Sequence, residues 1–195
     1  MKINSIALFC GSSEVAKECY KEIAVDFGKN CASRKLTLIY GGAGIGLMGK
    51  AAHAAVENGG EVIGIAPDFF ASGAVLSEQI QNLILVKSMS ERKQLFEQKA
   101  DAFVALPGSY GTMNELFEVI TNAQLGMHAK PVVLLNAYGF YDHLIAQLQR
   151  FKEDGLLRDF HYNLLLVAHT IPEFFSLIDH YQYSNSQNWL DKIRK

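Results

Sequence analysis

Glycine turns that open directly into helices are the places in this 195-residue chain whose residue types and spacing could do chemistry. One is Pro107-Gly108-Ser109-Tyr110-Gly111-Thr112-Met113-Asn114-Glu115, set between the apolar run Ala102 to Leu106 and an amphipathic run beginning at Leu116. Glycine lets backbone pass close to a ligand. The unpaired N–H groups and positive dipole end of the following helix attract an anion, most often a phosphate. The Thr112 hydroxyl and Glu115 carboxylate would lie beside that anion on the first helical turn. A phosphate cradle with an acid at its lip points to nucleotide chemistry. The same Thr-x-x-Glu spacing also fits a capping box, with Thr112 as N-cap and Glu115 reaching back to its N–H.

A second turn, Tyr40-Gly41-Gly42-Ala43-Gly44-Ile45-Gly46-Leu47-Met48-Gly49-Lys50, follows the apolar run Leu36 to Tyr40 and enters an alanine-rich helix. Gly44, Gly46 and Gly49 satisfy G-x-G-x-x-G, with Asp68 near the end of the next strand, so a dinucleotide fingerprint is formally present. Gly44 to Lys50 also matches G-x-x-x-x-G-K, but Ala51 stands where a P-loop needs a hydroxyl for magnesium. A third segment, Ser88-Met89-Ser90-Glu91-Arg92-Lys93, puts cations near a helix start, where the dipole disfavours them. Arg92 therefore needs an anionic partner or an outward, solvated position.

These loops need a scaffold. Strands are expected at Ile6 to Cys10, Leu36 to Tyr40, Val62 to Ala66, Leu83 to Val86, Ala102 to Leu106, Val132 to Leu135 and Leu164 to Val167, with helical patterns between most of them. Short Val/Ile/Leu runs without polar alternation suit strands buried on both faces. The expected fold is therefore α/β: one doubly wound, mostly parallel, Rossmann-like sheet. Ligands in such folds sit beyond the carboxyl ends of the strands. That edge would gather Gly11-Ser12-Ser13, the Gly41 to Gly49 turn and Pro107 to Thr112.

Composition sets further bounds. Hydrophobic residues make up 49% of the chain, enough for a single compact domain. We expect it over residues 1–182, with a polar tail at 183–195 in which Trp189, Leu190 and Ile193 could dock one short helix. Eighteen basic and 20 acidic residues leave a formal charge of −2, which argues against nucleic acid or an anionic membrane surface as partner. Cys10, Cys19 and Cys31 form an odd set without C-x-x-C spacing, as expected of reduced thiols in a cytoplasmic protein. The six histidines lack metal-ligand spacing, so no metal is expected. Residues Pro67 to Gln81, with Phe69-Phe70 and Gly73, read as a loop or small helix over the site.

With these residues in view, the chain resembles the Lonely Guy family, cytokinin-activating phosphoribohydrolases often mislabelled as lysine decarboxylases. The likeness rests on Cys10-Gly11-Ser12-Ser13, on Tyr40-Gly41-Gly42 continuing to Gly46-Leu47-Met48-Gly49, on Met89 through Lys93, and on Pro107 to Glu115 with Leu116-Phe117-Glu118 behind. The resemblance implies hydrolysis of the N-glycosidic bond of a nucleoside 5′-monophosphate without a cofactor. The helical stripe Leu116, Phe117, Val119 and Ile120 reads as core, and the resemblance implies that helices in this region also form a homodimer interface. By matched position, Arg92 and Glu115 form the catalytic pair, with Gly108, Gly111 and Thr112 at the phosphate, Met89 and Lys93 along base or sugar, and Glu118 as a second carboxylate. The substrate edge is completed by Gly11, Ser12, Gly41, Gly42, Gly46, Pro107 and Ser109.

Three residues depart from the family pattern: Ser109 for the second glycine of Pro-Gly-Gly, Ser90 for a histidine, and Val15 for a glycine. Serine fits at 109 if its φ is negative. A lysine decarboxylase would need pyridoxal phosphate on a lysine, and nothing singles out Lys50, Lys93 or Lys99. The competing reading from another class is a nucleotide- or cofactor-binding carrier on the same fold. Since phosphate binding would position the reacting centre, AMP should be cleaved in the presence of chelator and adenosine poorly, in both turnover and affinity. Free-base release from the two compounds decides this, and equal turnover would contradict the phosphate cradle.

Overall fold

The computed structural model describes residues 2–70, 76–77, 80 and 82–183. Residues 184–195 of the expected tail, including Trp189, Leu190 and Ile193, and Gly73 of the 67–81 loop lie outside the described residues. The chain runs β1 (Ser5–Phe9), α1 (Glu18–Ser33), β2 (Thr37–Tyr40), α2 (Gly46–Glu57), β3 (Val62–Pro67), β4 (Asn82–Val86), α3 (Met89–Lys99), β5 (Ala102–Ala105) and α4 (Tyr110–Gln124). It continues with β6 (Val132–Leu135), α5 (Asp142–Glu153), α6 (Asp159–Tyr162), β7 (Leu165–Ala168) and α7 (Ile171–Asp179). Short 3-10 turns lie at Asp68–Phe70 and Ala137–Gly139.

The strands form one seven-stranded sheet in the order β4-β3-β2-β1-β5-β6-β7. Every pairing is parallel. The reason is legible in the side chains: Ile6-Ala7-Leu8-Phe9, Ala102 to Ala105 and Val132 to Leu135 are buried at every position, so these central strands leave no face for water. One core packs Phe27, Tyr40, Leu47, Phe174 and Phe175 between the sheet and helices α1, α2 and α7. The other packs Phe9, Phe96, Phe103, Leu116 and Val119 under α3 and α4, with Tyr141 and Ile145 of the α5 region. Both apolar faces of the sheet are thereby removed from water, the largest favourable contribution to such a fold.

Strand order fixes where a ligand can sit. The chain winds outward from β1 to β4, then returns to lay β5 against the other side of β1, so the order reverses between β1 and β5. There the two loops meet. Leu106 N donates to the Phe9 carbonyl at 2.9 Å and Gly11 N to the Pro107 carbonyl at 3.0 Å. From the N-cap of α5, the Tyr141 hydroxyl donates to the Leu106 carbonyl at 2.6 Å and steadies the strand end that launches the Pro107 turn. Among the described residues no helix is long and apolar enough to cross a membrane.

Candidate active site

Arg92 enters the site because α3 starts where it does. The Ser88 hydroxyl accepts from Glu91 N at 3.1 Å, and the Glu91 carboxylate accepts from Lys87 N at 2.8 Å. This S-x-x-E arrangement resembles a capping box, with the carboxylate on the N–H of the residue before the N-cap, and it fixes the first turn of α3. Arg92 follows immediately, turned inward and only 6% exposed, so the solvated-surface reading does not hold. Its Nε donates to the Ile65 carbonyl of β3 at 2.9 Å, and its Nη1 lies 2.9 Å from Glu115 Oε1. The guanidinium rests 5.1 Å from the Phe96 ring centroid. A Cβ on Gly41 would stand 2.2 Å from Nη2, so this position must be glycine for the guanidinium to lie where it does.

The partner acid comes from α4. Its N-cap is Ser109, not Thr112, and no side chain caps it. The expected Thr112–Glu115 capping box is therefore corrected. Thr112 lies within the first turn and Glu115, 4% exposed, points into the protein toward Arg92 because an ion partner waits there. The Thr112 hydroxyl folds back onto the turn; a Cβ on Gly108 would meet its Oγ1 at 2.1 Å. Met113 N donates to the Ser109 carbonyl at 2.9 Å, while the N–H groups of Tyr110, Gly111 and Thr112 have no acceptor among the described residues. Those are the orphan donors of a helix start, and here they are open to an anion. Ser109 has φ −117°, so its side chain imposes no backbone strain in the turn.

Electrostatics at this pair are set by burial. Desolvation pushes the Glu115 carboxyl up to about 7, while the charges of Arg92 and, less, Lys93 pull it down and Glu118 raises it. Burial lowers the Arg92 guanidinium, opposed by Glu115. Cys10 lies close enough for the Glu115 charge to add to burial in pushing its thiol up, which leaves it a poor nucleophile near neutrality.

The second glycine turn is built differently from the expected cradle. The Gly11 carbonyl accepts from Leu47 N at 3.0 Å and Met48 N at 3.3 Å, and Glu14 Oε1 accepts from Gly46 N at 2.6 Å. Gly46 has φ +60° and a Cβ there would meet the Ser12 backbone at 2.3 Å, so this glycine serves a protein–protein approach within the chain. Gly42, at φ +82°, accepts on its carbonyl from Ser77 N at 3.1 Å, and Ala43 bridges Leu76. His53 Nε2 and Ser77 Oγ share a hydrogen bond of 3.0 Å, a support for the glycine turn that no motif announced. Lys93 forms an ion pair with Glu118, and Met89 is exposed at the start of α3. Lys50 and Lys99 are exposed on helix surfaces. Phe69 and Phe70 form part of a 3-10 turn, both partly exposed.

Thus Arg92, Glu115, Gly41, Gly108 and Thr112 come together, with Gly11, Pro107 and Ser12 behind the turn and Lys93 and Glu118 one step along α3 and α4. Comparison with known proteins identifies the family of the chain. Residues 48–178 match a family model described as possible lysine decarboxylase. A probable cytokinin riboside 5′-monophosphate phosphoribohydrolase of Oryza sativa subsp. japonica is 42% identical over 180 residues, 92% of this chain and 79% of that protein. A cytokinin riboside 5′-monophosphate phosphoribohydrolase of Arabidopsis thaliana is 40% identical over 180 residues, 92% of this chain and 84% of its own length. Among solved structures, the molybdenum cofactor binding protein of Rippkaea orientalis superposes with TM-score 0.69 at 23% identity, covering 92% of this chain and 97% of that one. The molybdenum cofactor carrier protein of Chlamydomonas reinhardtii gives TM-score 0.68 at 21% identity, covering 91% and 97%. These two likenesses show the shared fold. The sequence identity over nearly the whole chain shows more: this chain belongs to the Lonely Guy family of cytokinin riboside 5′-monophosphate phosphoribohydrolases.

Proposed function

We propose that the chain hydrolyses the N-glycosidic bond of a purine nucleoside 5′-monophosphate, AMP or an N6-substituted AMP, to free base and ribose 5-phosphate. The observation that carries this reading is the buried Arg92–Glu115 pair beside the open N-terminus of α4. In this reading the N–H groups of Tyr110, Gly111 and Thr112 hold the phosphate over Gly108, and Nη2 of Arg92, past Gly41, clamps a ligand oxygen. As the C1′–N bond breaks, its electron pair leaves with the base and positive charge builds on the ribose ring. The Glu115 carboxylate stabilises that charge and polarises the attacking water, whose oxygen bonds C1′. Overall the water supplies the hydroxyl at C1′ and a proton for the base. Arg92 does not give up a proton; it holds Glu115 ionised against burial and orients it. Met89, Lys93 and Glu118 border the base or sugar.

The protein acts, in this reading, as a cytoplasmic homodimer. The exposed Phe117 on α4 supports the dimer, and the buried free thiols of Cys10 and Cys31 support the cytoplasmic location. The carrier reading has only fold likeness behind it. A binder has no evident use for an acid held beside an anion seat at the cost of desolvation.

Two substitutions test the pair. Glu115→Gln keeps the volume and removes the charge, and should lower kcat for AMP by at least about a hundredfold. Arg92→Lys cannot reach Ile65 and Glu115 with one planar fork, and should be folded but nearly inactive. Parent-like hydrolysis by either would remove that residue from the mechanism. The pH profile gives an independent reading, because Glu115 must be ionised to act and burial sets its midpoint at about 7. kcat/KM for AMP should therefore rise with pH through neutrality. In Glu115→Gln that limb should vanish, leaving only the substrate phosphate's own ionisation near about 6. A parent profile flat from pH 5.5 to 8 would contradict the assignment.

A further inference from the structure

We propose that the cleft between α1 and the start of α7 is a second ligand site, which takes an organic ammonium ion carrying a short apolar chain. Neither Arg92 nor Glu115 lines it, and it stands independently of the phosphoribohydrolase reading. The first observation is a turn that its residue does not suit. After β6 the chain passes through Ala137–Gly139, where Tyr138 has φ +54° and ψ +27° and Gly139 has φ +68°. Left-handed backbone favours glycine, asparagine or aspartate over a tyrosine, whose Cβ crowds the following carbonyl. The turn is held in that form from both sides. Asn136 N donates to the Ala168 carbonyl at 2.7 Å, Asn136 Oδ1 accepts from Tyr141 N at 2.7 Å, and a Cβ on Gly139 would stand 2.5 Å from Asp142 Oδ2. Lys35, the other non-glycine residue at positive φ among the described residues, follows the end of α1, and helix termination accounts for it. Tyr138 ends no α-helix, and its ring is 67% exposed. Strain kept at an exposed aromatic points to a use for the ring.

The second observation is what surrounds that ring. Tyr138 lines a cleft of about 400 Å³ together with Ile23, Asp26 and Asn30 of α1 and Ile171 and Pro172 of α7, a size that suits a small ligand. Arg34 ties the far ends of α1 and α7 together through Asp179 at 2.9 Å. The Tyr20 ring lies 6.3 Å from Tyr138 and 5.3 Å from Phe140, so three aromatic rings stand in a row at this edge. No lysine or arginine lines the cleft; Asp26 is its acid and His169 its imidazole. The Asp26 carboxylate takes part in none of the ion pairs among the described residues. Asn30 spends its Nδ2 on the Asp26 carbonyl at 2.8 Å, which leaves its side-chain oxygen as an acceptor. A carboxylate and an aromatic face on one cleft select a cation, while Ile23, Ile171 and Pro172 offer its alkyl chain an apolar wall. An anion would meet Asp26 with no cation on the lining to offset it.

The test titrates the full chain with n-butylammonium, 1-butanol and butyrate and follows backbone amide shifts by NMR. n-Butylammonium should shift Asp26, Asn30, Tyr138 and Ile171 saturably, with a dissociation constant on the order of 1–10 mM, at least about fivefold tighter than 1-butanol, and butyrate should leave them unmoved. Tyr138→Asn gives the turn a residue that tolerates left-handed backbone. It should melt no lower than the parent, yet bind n-butylammonium at least about threefold more weakly. Asp26→Asn should erase the preference for n-butylammonium over 1-butanol. Equal affinity of the parent for n-butylammonium and 1-butanol would reduce the site to an apolar crevice and overturn the proposal. So would parent affinity in Tyr138→Asn, or the absence of saturable shifts at these residues. A lower melting temperature for Tyr138→Asn would show that the ring serves packing, and would remove the strain argument on which the proposal stands.

Discussion

The structure is organised around a buried ion pair that would be costly if either partner were left alone. Removing water from two charges costs several kcal/mol per ion, about as much as a close partner returns, and stranding one of them costs roughly 3–5 kcal/mol. Arg92 and Glu115 meet at 2.9 Å with both side chains almost inaccessible, and each is held by features that serve the pair. The Ser88–Glu91 cap fixes the turn carrying Arg92, the Ile65 carbonyl takes its Nε, Phe96 supports its face, and Gly41 leaves room for Nη2. On the other side, α4 begins at Tyr110, which leaves Glu115 far enough into the helix to face inward while the helix start stays open.

Two helix N-termini at one sheet edge are often read as two anion sites. Here they have separate fates. The start of α4 keeps its donors, and the start of α2 spends them on Gly11 and Glu14, which ties the β1 loop to the glycine turn that backs Arg92. The His53–Ser77 bond and the Leu76–Ala43 bridge extend the same support from the segment before β4. The site's stiffness thus comes from hydrogen bonds that use up polar groups around the open seat, which favours a preorganised electrostatic environment.

Most of the fold could be read from the residues. Short, mostly apolar runs placed all seven strands within about one residue of their ends, and in the central strands two-sided burial explains that composition. The four motifs likewise led to the loops that meet at the switch point. What spacing did not reveal was direction. Thr112-x-x-Glu115 and Ser88-x-x-Glu91 have the same form, yet only the second acts as a cap, because Glu115 has Arg92 within reach and Glu91 has only the backbone of its own turn. Gly46 satisfied a phosphate fingerprint, but a carboxylate 32 residues earlier in the chain fills that place. Such pairings join residues far apart in sequence and are set by the strand order. His53 and Ser77 carried no motif at all.

The central claim is geometric: the open start of α4 and the Arg92–Glu115 pair serve one ligand. The most direct measurement is a crystal structure of Glu115→Gln soaked with AMP. The account predicts phosphate oxygens about 3 Å from the N–H groups of Tyr110, Gly111 and Thr112, with Arg92 Nη2 on a ligand oxygen and C1′ facing residue 115. A phosphate bound away from α4, or a ribose turned so that C1′ lies out of reach of residue 115, would contradict it.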